Sequence, residues 1–189
     1  MNIARSPWVR YCGLLERRPW ATNAVTGLAL GLAGDAFCQL AMEGVAPAEY
    51  DVPRTLVFSG FNTIYSSTVS VRVYRLYSTV LPARVLASPW RFGAASSLLD
   101  NLVHSPAIYL PAYYTWKGAL GGQSVAEAAQ TYRDQFVPVM RSLLVVWVPV
   151  QFCTFYFVPA PQRVVATLAA NLVWNSILSF QSHEGVDPK

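Results

Sequence analysis

The chain has 189 residues, of which 53% are hydrophobic, 13% aromatic and only 13% charged, with a formal net charge of +4. Charged residues make up about a quarter of an ordinary soluble domain, and a chain this short cannot hide so much apolar surface inside itself. Composition therefore argues against a typical soluble domain and predicts an all-α protein whose solvent is lipid; the soluble alternative, a small all-helical bundle that buries everything, fits the recurring uncharged runs less well.

The basic excess does not point to nucleic acid. Twelve of the fourteen basic residues are Arg, and they stand singly at the ends of apolar runs rather than clustered on a polar face. From helix ends, arginine can snorkel to lipid headgroups. Cys12, Cys38 and Cys153 form no paired motif, so neither a disulfide scaffold nor a cysteine zinc site is expected. They read as small buried thiols. The chain shows no nucleophile elbow, phosphate loop or HExxH. No enzyme, metal or cofactor is expected.

In chain order, 7–18 reads as a short interfacial helix. Arg5, Arg10, Arg17 and Arg18 face one acid, Glu16, as in a mitochondrial presequence. Trp8, Tyr11, Pro19 and Trp20 fit aromatic anchoring at a membrane surface better. The first crossing spans 22–42, with Thr22 as its cap. Gly27, Gly31, Asp35 and Gln39 follow each other at steps of four, so they share one face. The two glycines predict close helix packing. The acid on the same face must meet a partner or water, and its structural partner is Arg54, Arg72 or Arg141.

The second crossing, 55–71, is free of charge but rich in Ser, Thr and Asn. A loop from 72 to 91 follows, with four Arg and no acid. The third crossing, 92–116, holds Asp100, Asn101 and His104. Asp100 and His104 stand four apart and share a face; a hydrogen-bonded pair fits better than half of a proton relay. Pro106 predicts a kink beside them. Residues 117–135 are polar and contain an amphipathic surface helix. The last crossings, 142–158 and 164–180, carry no charge and flank a Pro159–Arg163 break. They make either two full spans or a shallower hairpin.

The expected architecture is one integral membrane domain over 1–189: four to five transmembrane helices plus the interfacial helix. With five crossings, nine basic residues fall on the N-terminal side and five on the other. The positive-inside rule then puts the N-terminus on the positive side, which is the matrix if the membrane is the inner mitochondrial one.

The chain resembles the Mpv-seventeen family of small membrane proteins, which includes the twenty-two-kilodalton peroxisomal membrane protein. Trp8, Tyr11, Pro19 and Thr22 match its opening, and Gly34, Asp35 and Gln39 its Gly-Asp-x-x-x-Gln. Asp100 and Pro106 match its Asp-Gln-x-x-x-x-Pro. Trp147, Pro149, Gln151, Phe155, Pro159, Arg163, Trp174 and Asn175 match its closing block. These last positions are expected to be structural determinants. An opening pattern inside the first 22 residues argues against a cleaved presequence. The member is divergent: a His-x-Trp-Tyr is reduced to Tyr74, and Asp-Gln has become Asp100–Asn101.

The resemblance implies a mitochondrial inner membrane protein, with the peroxisomal membrane as the alternative. It also implies a pore or transport role for small polar solutes. Asp35, Gln39, Asp100, Asn101 and His104 are the candidate pore or intramembrane polar residues. The competing function is an accessory subunit of a respiratory or ATP synthase complex. Expected partners are membrane lipids, cardiolipin among them, and a homo-oligomer or larger complex.

Overall fold

The structure, a computed structural model, describes residues 6–184; at 173 and 175–184 it describes the backbone alone. Every regular element among the described residues is a helix. Helix α1 is Pro7–Arg17 and α2 is Pro19–Phe37, which continues as a π turn through Cys38–Met42. Helix α3, Val52–Tyr65, runs through a second π turn, Ser66–Ser70, into α4, Val71–Val80. After the short α5, Ala83–Leu86, come α6, Pro89–Leu99, a long π segment, Asp100–Tyr109, and α7, Leu110–Leu120. Helix α8 is Val125–Phe157 and α9 is Arg163–Glu184.

Local chemistry explains most of the boundaries. Proline stands at the first or second helical position of α1, α2, α3 and α6, where its missing N–H costs nothing. Asp51 caps α3 by accepting from Arg54 N at 2.9 Å. Ser124 and Glu127 form a reciprocal capping box at the start of α8. Gly122, with φ +76°, makes the turn just before it.

Three expectations about boundaries are corrected. The first long helix starts at Pro19, so Thr22 lies inside it, and its hydroxyl donates back to Arg18 O at 2.8 Å and Leu14 O at 3.1 Å. Most of the expected 72–91 loop is helical: nothing stops α3–α4 before Leu81 and Pro82, and α5 and the start of α6 take up much of the rest. The surface helix and the fourth crossing are one helix, α8. Residues 125–157 contain no Gly or Asn to end it, and Pro138 and Pro149 each remove only one backbone bond.

The chain falls into two compact units, 1–73 with 164–189, and 74–163. In the first, α2 packs on α3 through small residues. A methyl group at Gly31 would stand 2.8 Å from Ser59 Cα, and one at Gly27 2.8 Å from Ser66 Oγ. Neither position has room for a side chain. Trp20 lies under Arg72, with the guanidinium carbon 4.5 Å from its ring. In the second unit, Phe155 on α8 is buried and ringed by Tyr74, Tyr77 and Phe92 at 5.0, 5.5 and 6.1 Å between centroids.

Among the described residues two helices, Pro19–Met42 and Val125–Phe157, are long and apolar enough to cross a membrane. The continuous helices 52–80 and 89–120 have the length, but their Ser, Thr, Asn, Asp and Arg residues make them more polar. The three cysteines are thiols, and burial separates them: Cys38 is buried, Cys12 half-buried and Cys153 exposed. The expectation of uniformly buried thiols fails at Cys153, which lies on the outer face of α8.

Candidate functional site

Two polar centres are built into the helices, one in each unit. The first is organised by Asp35 on α2, which is 6% exposed. Its Oδ2 accepts from Thr55 Oγ1 at 2.5 Å and from Gln39 Nε2 at 2.7 Å. Its Oδ1 meets Arg54 Nε at 3.1 Å. Gln39 also clamps the chain entering α3, accepting from Asp51 N at 2.8 Å and donating to Asp51 O at 3.1 Å. Arg54 is the carboxylate's partner, rather than Arg72 or Arg141. Its two terminal nitrogens grip Glu43 with a pair of 2.7 Å bonds. Those bonds raise the Arg54 pKa above the ordinary arginine value, against the opposing effect of burial; the Asp35 charge also contributes.

The helix that carries Asp35 shapes this centre. Beyond Phe37 its backbone widens into a π turn, where Glu43 N bonds Cys38 O at 2.9 Å. Such turns rotate the side chains beyond them relative to a straight α-helix. Gln39 is the second residue of the π turn, and it reaches both Asp35 and the α3 entrance.

The second centre is organised by Asp100, 4% exposed, at the start of the long π segment. Tyr77 donates to its Oδ1 at 2.9 Å, and His104 Nδ1 stands 2.8 Å from the same oxygen. Gln151 Nε2 donates to Oδ2 at 2.8 Å and to the Tyr74 hydroxyl at 2.7 Å. Three groups thus converge on one buried carboxylate, which offsets much of its desolvation cost. Asn101 points toward α8 instead, donating to Ser97 O at 2.8 Å and Trp147 O at 3.4 Å. Ser97 donates to Val148 O at 2.7 Å.

Pro106 and Pro111 explain the π segment. Pro106 has no N–H for the preceding turn. Leu110 N bonds Ser105 O, five residues back, and Pro111 offers no donor to Pro106 O. The Tyr132 hydroxyl of α8 supplies it at 2.7 Å.

The pore candidates therefore divide. Asp35 and Gln39 belong to one unit, and Asp100, Asn101 and His104 to the other. Gly27 and Gly31 lie at the α2–α3 contact. Of the closing-block residues, Gln151 is a direct partner of Asp100. Trp147 lends a carbonyl, Pro149 is exposed within α8, and Pro159 stands between α8 and the 3₁₀ turn Ala160–Gln162. Arg163 caps the end of α8, donating to Val158 O at 3.1 Å and Phe155 O at 3.4 Å, with Phe92 4.9 Å beneath it. Burial there lowers its pKa from the ordinary arginine value. Trp174 is half-buried on α9, and the side chain of Asn175 lies outside the described residues.

Sequence reasoning missed Tyr77, Thr55 and Glu43 as members of these centres, and it took Gln151 only as a structural signature. Two signals were present. Tyr74 and Tyr77 stand three apart on one helix face, and Gln151 is a polar residue inside an uncharged run. Among the described residues no group of three or more His, Cys, Asp or Glu could hold a metal ion.

The Mpv17 / PMP22 family matches residues 118–179, which include most of α8 and α9. The mitochondrial inner membrane protein Mpv17 of Danio rerio is 25% identical over 94% of this chain and 97% of its own length. Protein SYM1 of Candida albicans is 28% identical over 92% of this chain and 95% of its own length. The Saccharomyces cerevisiae SYM1 is 27% identical over 91% of this chain and 88% of its own. No solved structure matches. None of these names specifies a reaction, and they agree with the charge pattern and the buried polar helices in describing a membrane protein. The chain is thus similar over nearly its whole length to mitochondrial inner membrane proteins named Mpv17 and to SYM1 proteins, and its 118–179 segment matches the Mpv17 / PMP22 family.

Proposed function

We propose that this protein is a non-enzymatic pore or transport-related protein for small polar solutes, crossing the membrane four to five times with its N-terminus on the matrix side. One observation carries the reading. Ser96 Oγ, Asn101 Oδ1 and Gln151 Oε1 are all buried, with no hydrogen-bond partner among the described residues. A buried polar atom without a partner costs about 1–3 kcal/mol, and polar groups at membrane depth are tolerated where they line a wet path. A hydrated passage beside Asp100 and His104 would offset that cost.

Reconstitution of the whole protein in planar bilayers tests the reading. Discrete conductance is expected, with its amplitude or ion selectivity changed by Asp100→Asn and by Asn101→Leu. Silence, or conductance indifferent to both changes and to Asp35→Asn, would sink it.

A specific feature favours a second reading, an accessory subunit of a larger inner-membrane complex. Helix α8 is roughly 50 Å long at ~1.5 Å per residue, more than a hydrocarbon core of ~30 Å needs. Its first half carries Glu127, Arg133, Asp134 and Arg141 yet exposes Val125, Phe136 and Val137. Apolar residues there suit a protein neighbour. If the protein migrates on native gels only at its own mass, this second reading fails.

A further inference from the structure

Between Asp51 and Asp100 the chain contains no acidic residue. Within the second unit, Arg75, Arg84 and Arg91 are all exposed. No carboxylate pairs with them among the described residues. They occupy the middle of α4, the short α5 and the first turn of α6, so the stretch from α4 to α6 is a run of uncompensated positive charge. Arg163 reaches the same end of the unit through Phe92, also in the first turn of α6.

This charge is not set in an ordinary water-facing surface. Trp90 is 62% exposed, held edge-on to Phe152 at 6.3 Å. Leu76, Val80 and Leu86 are exposed among the arginines. An exposed indole beside cations and aliphatic side chains is the pattern of a headgroup-level anchor. A soluble anion or acidic peptide would leave those apolar groups in water, whereas a phospholipid would cover them.

We infer that the α4–α6 connection is a docking surface for a membrane phospholipid carrying two phosphates, the class that includes cardiolipin. Arg84 and Arg91 each take one phosphate, since a guanidinium fork matches phosphate oxygens. Arg75 adds long-range attraction. Trp90 sits at the glycerol level, and Val80 and Leu86 meet the acyl chains. Three uncompensated positive charges are met better by a doubly charged lipid than by a zwitterion or a single phosphate. The inference rests on membrane residence and not on conduction, so a silent bilayer recording leaves it standing.

The test uses the full chain purified in mild detergent, with native mass spectrometry and thermal unfolding as readouts. Cardiolipin, phosphatidylglycerol, phosphatidylcholine and inorganic phosphate are added in separate arms. Cardiolipin is expected to stay bound and raise the melting temperature, while phosphatidylcholine and inorganic phosphate do neither. Arg84→Gln with Arg91→Gln should weaken cardiolipin binding roughly thirtyfold, at about fivefold of surface attraction per arginine. Arg133→Gln, on α8, should leave it unchanged. If the double variant does not fold, each single variant should still weaken binding roughly fivefold. Equal binding of phosphatidylcholine or phosphatidylglycerol overturns the proposal. So does displacement of the lipid by inorganic phosphate, or cardiolipin affinity untouched by the Arg84 and Arg91 changes.

Discussion

Asp35 and Asp100 show how one residue type is made tolerable inside a helix in two ways. Asp35 is neutralised by an arginine, whereas Asp100 is surrounded by Tyr77, His104 and Gln151. The two should respond differently to mutation. Because the Arg54 side chain is 41% exposed, its pairing is partly screened, and Arg54→Gln should cost about 1–2 kcal/mol, below the ~3–5 kcal/mol of a fully buried pair. Denaturant unfolding in detergent would measure it, and a double-mutant cycle with Asp35→Asn should show positive coupling. Tyr77→Phe deletes one donor from a fully buried carboxylate and should cost about 1–3 kcal/mol. A loss below a few tenths would mean that another donor replaces it. Both acids were legible in the sequence because a carboxylate in an apolar run demands an explanation. Their partners were less so: Gln39 lies one turn away, but Tyr77 and Gln151 come from residues 23 and 51 positions distant, and spacing says nothing about contacts at that range.

The elements depart from ideal helices where the polar residues sit. Each of the three π segments begins at or just beside a buried polar side chain: Gln39, Ser66 and Asp100. None was legible, because an i→i+5 turn of a few residues leaves no periodicity to read. Only Pro106 hinted at one. If Tyr132 stabilises the longest segment by donating to Pro106 O, Tyr132→Phe should cost about 0.5–1.5 kcal/mol and speed amide exchange across 105–111, with α6 unaffected. At the start of α8, Ser124→Ala should cost about 1 kcal/mol. Glu127 adds a pH dependence with a definite sign. Hydrogen bonds from Ser124, first from its backbone N–H and then from its hydroxyl, lower the Glu127 pKa in the folded chain. A lowered folded value means that stabilisation is present above the ordinary carboxylate pKa and disappears as pH falls through the lowered one. Amide exchange at 125–128 should accelerate on acidification through that range in the native protein and change less in the Ser124→Ala variant. Small residues at a helix contact were readable, and Gly31→Leu should separate α2 from α3, while Gly13→Leu, with nothing within 4 Å of it, should be harmless.

At the scale of the whole chain, all-helical architecture was legible from composition and from uncharged runs, whereas the division into two units was not. The second unit is continuous in sequence, but the first closes with α9, returning from beyond residue 163. Gly34 on α2 marks that return: a side chain there would collide with Leu172 on α9. No local pattern announces a contact across so many residues. What the sequence does constrain is orientation, because arginine is unevenly distributed between the connections. Five crossings would put the N-terminus, the α4–α6 connection and the turn before α9 on the positive side, and the α2–α3 connection, the turn before α8 and the C-terminus on the other. Single cysteines at Thr79 and Gly122, in a background without Cys12, Cys38 and Cys153, should then label from opposite faces of mitoplasts. Tags on the two ends of the chain should also be cleaved from opposite faces. Tags cleaved from the same face would require an even number of crossings, making the α8–α9 pair a hairpin that enters and leaves by one side. Labelling at Thr79 from the intermembrane side would reverse the orientation. It would also move Arg84 and Arg91 to the other leaflet.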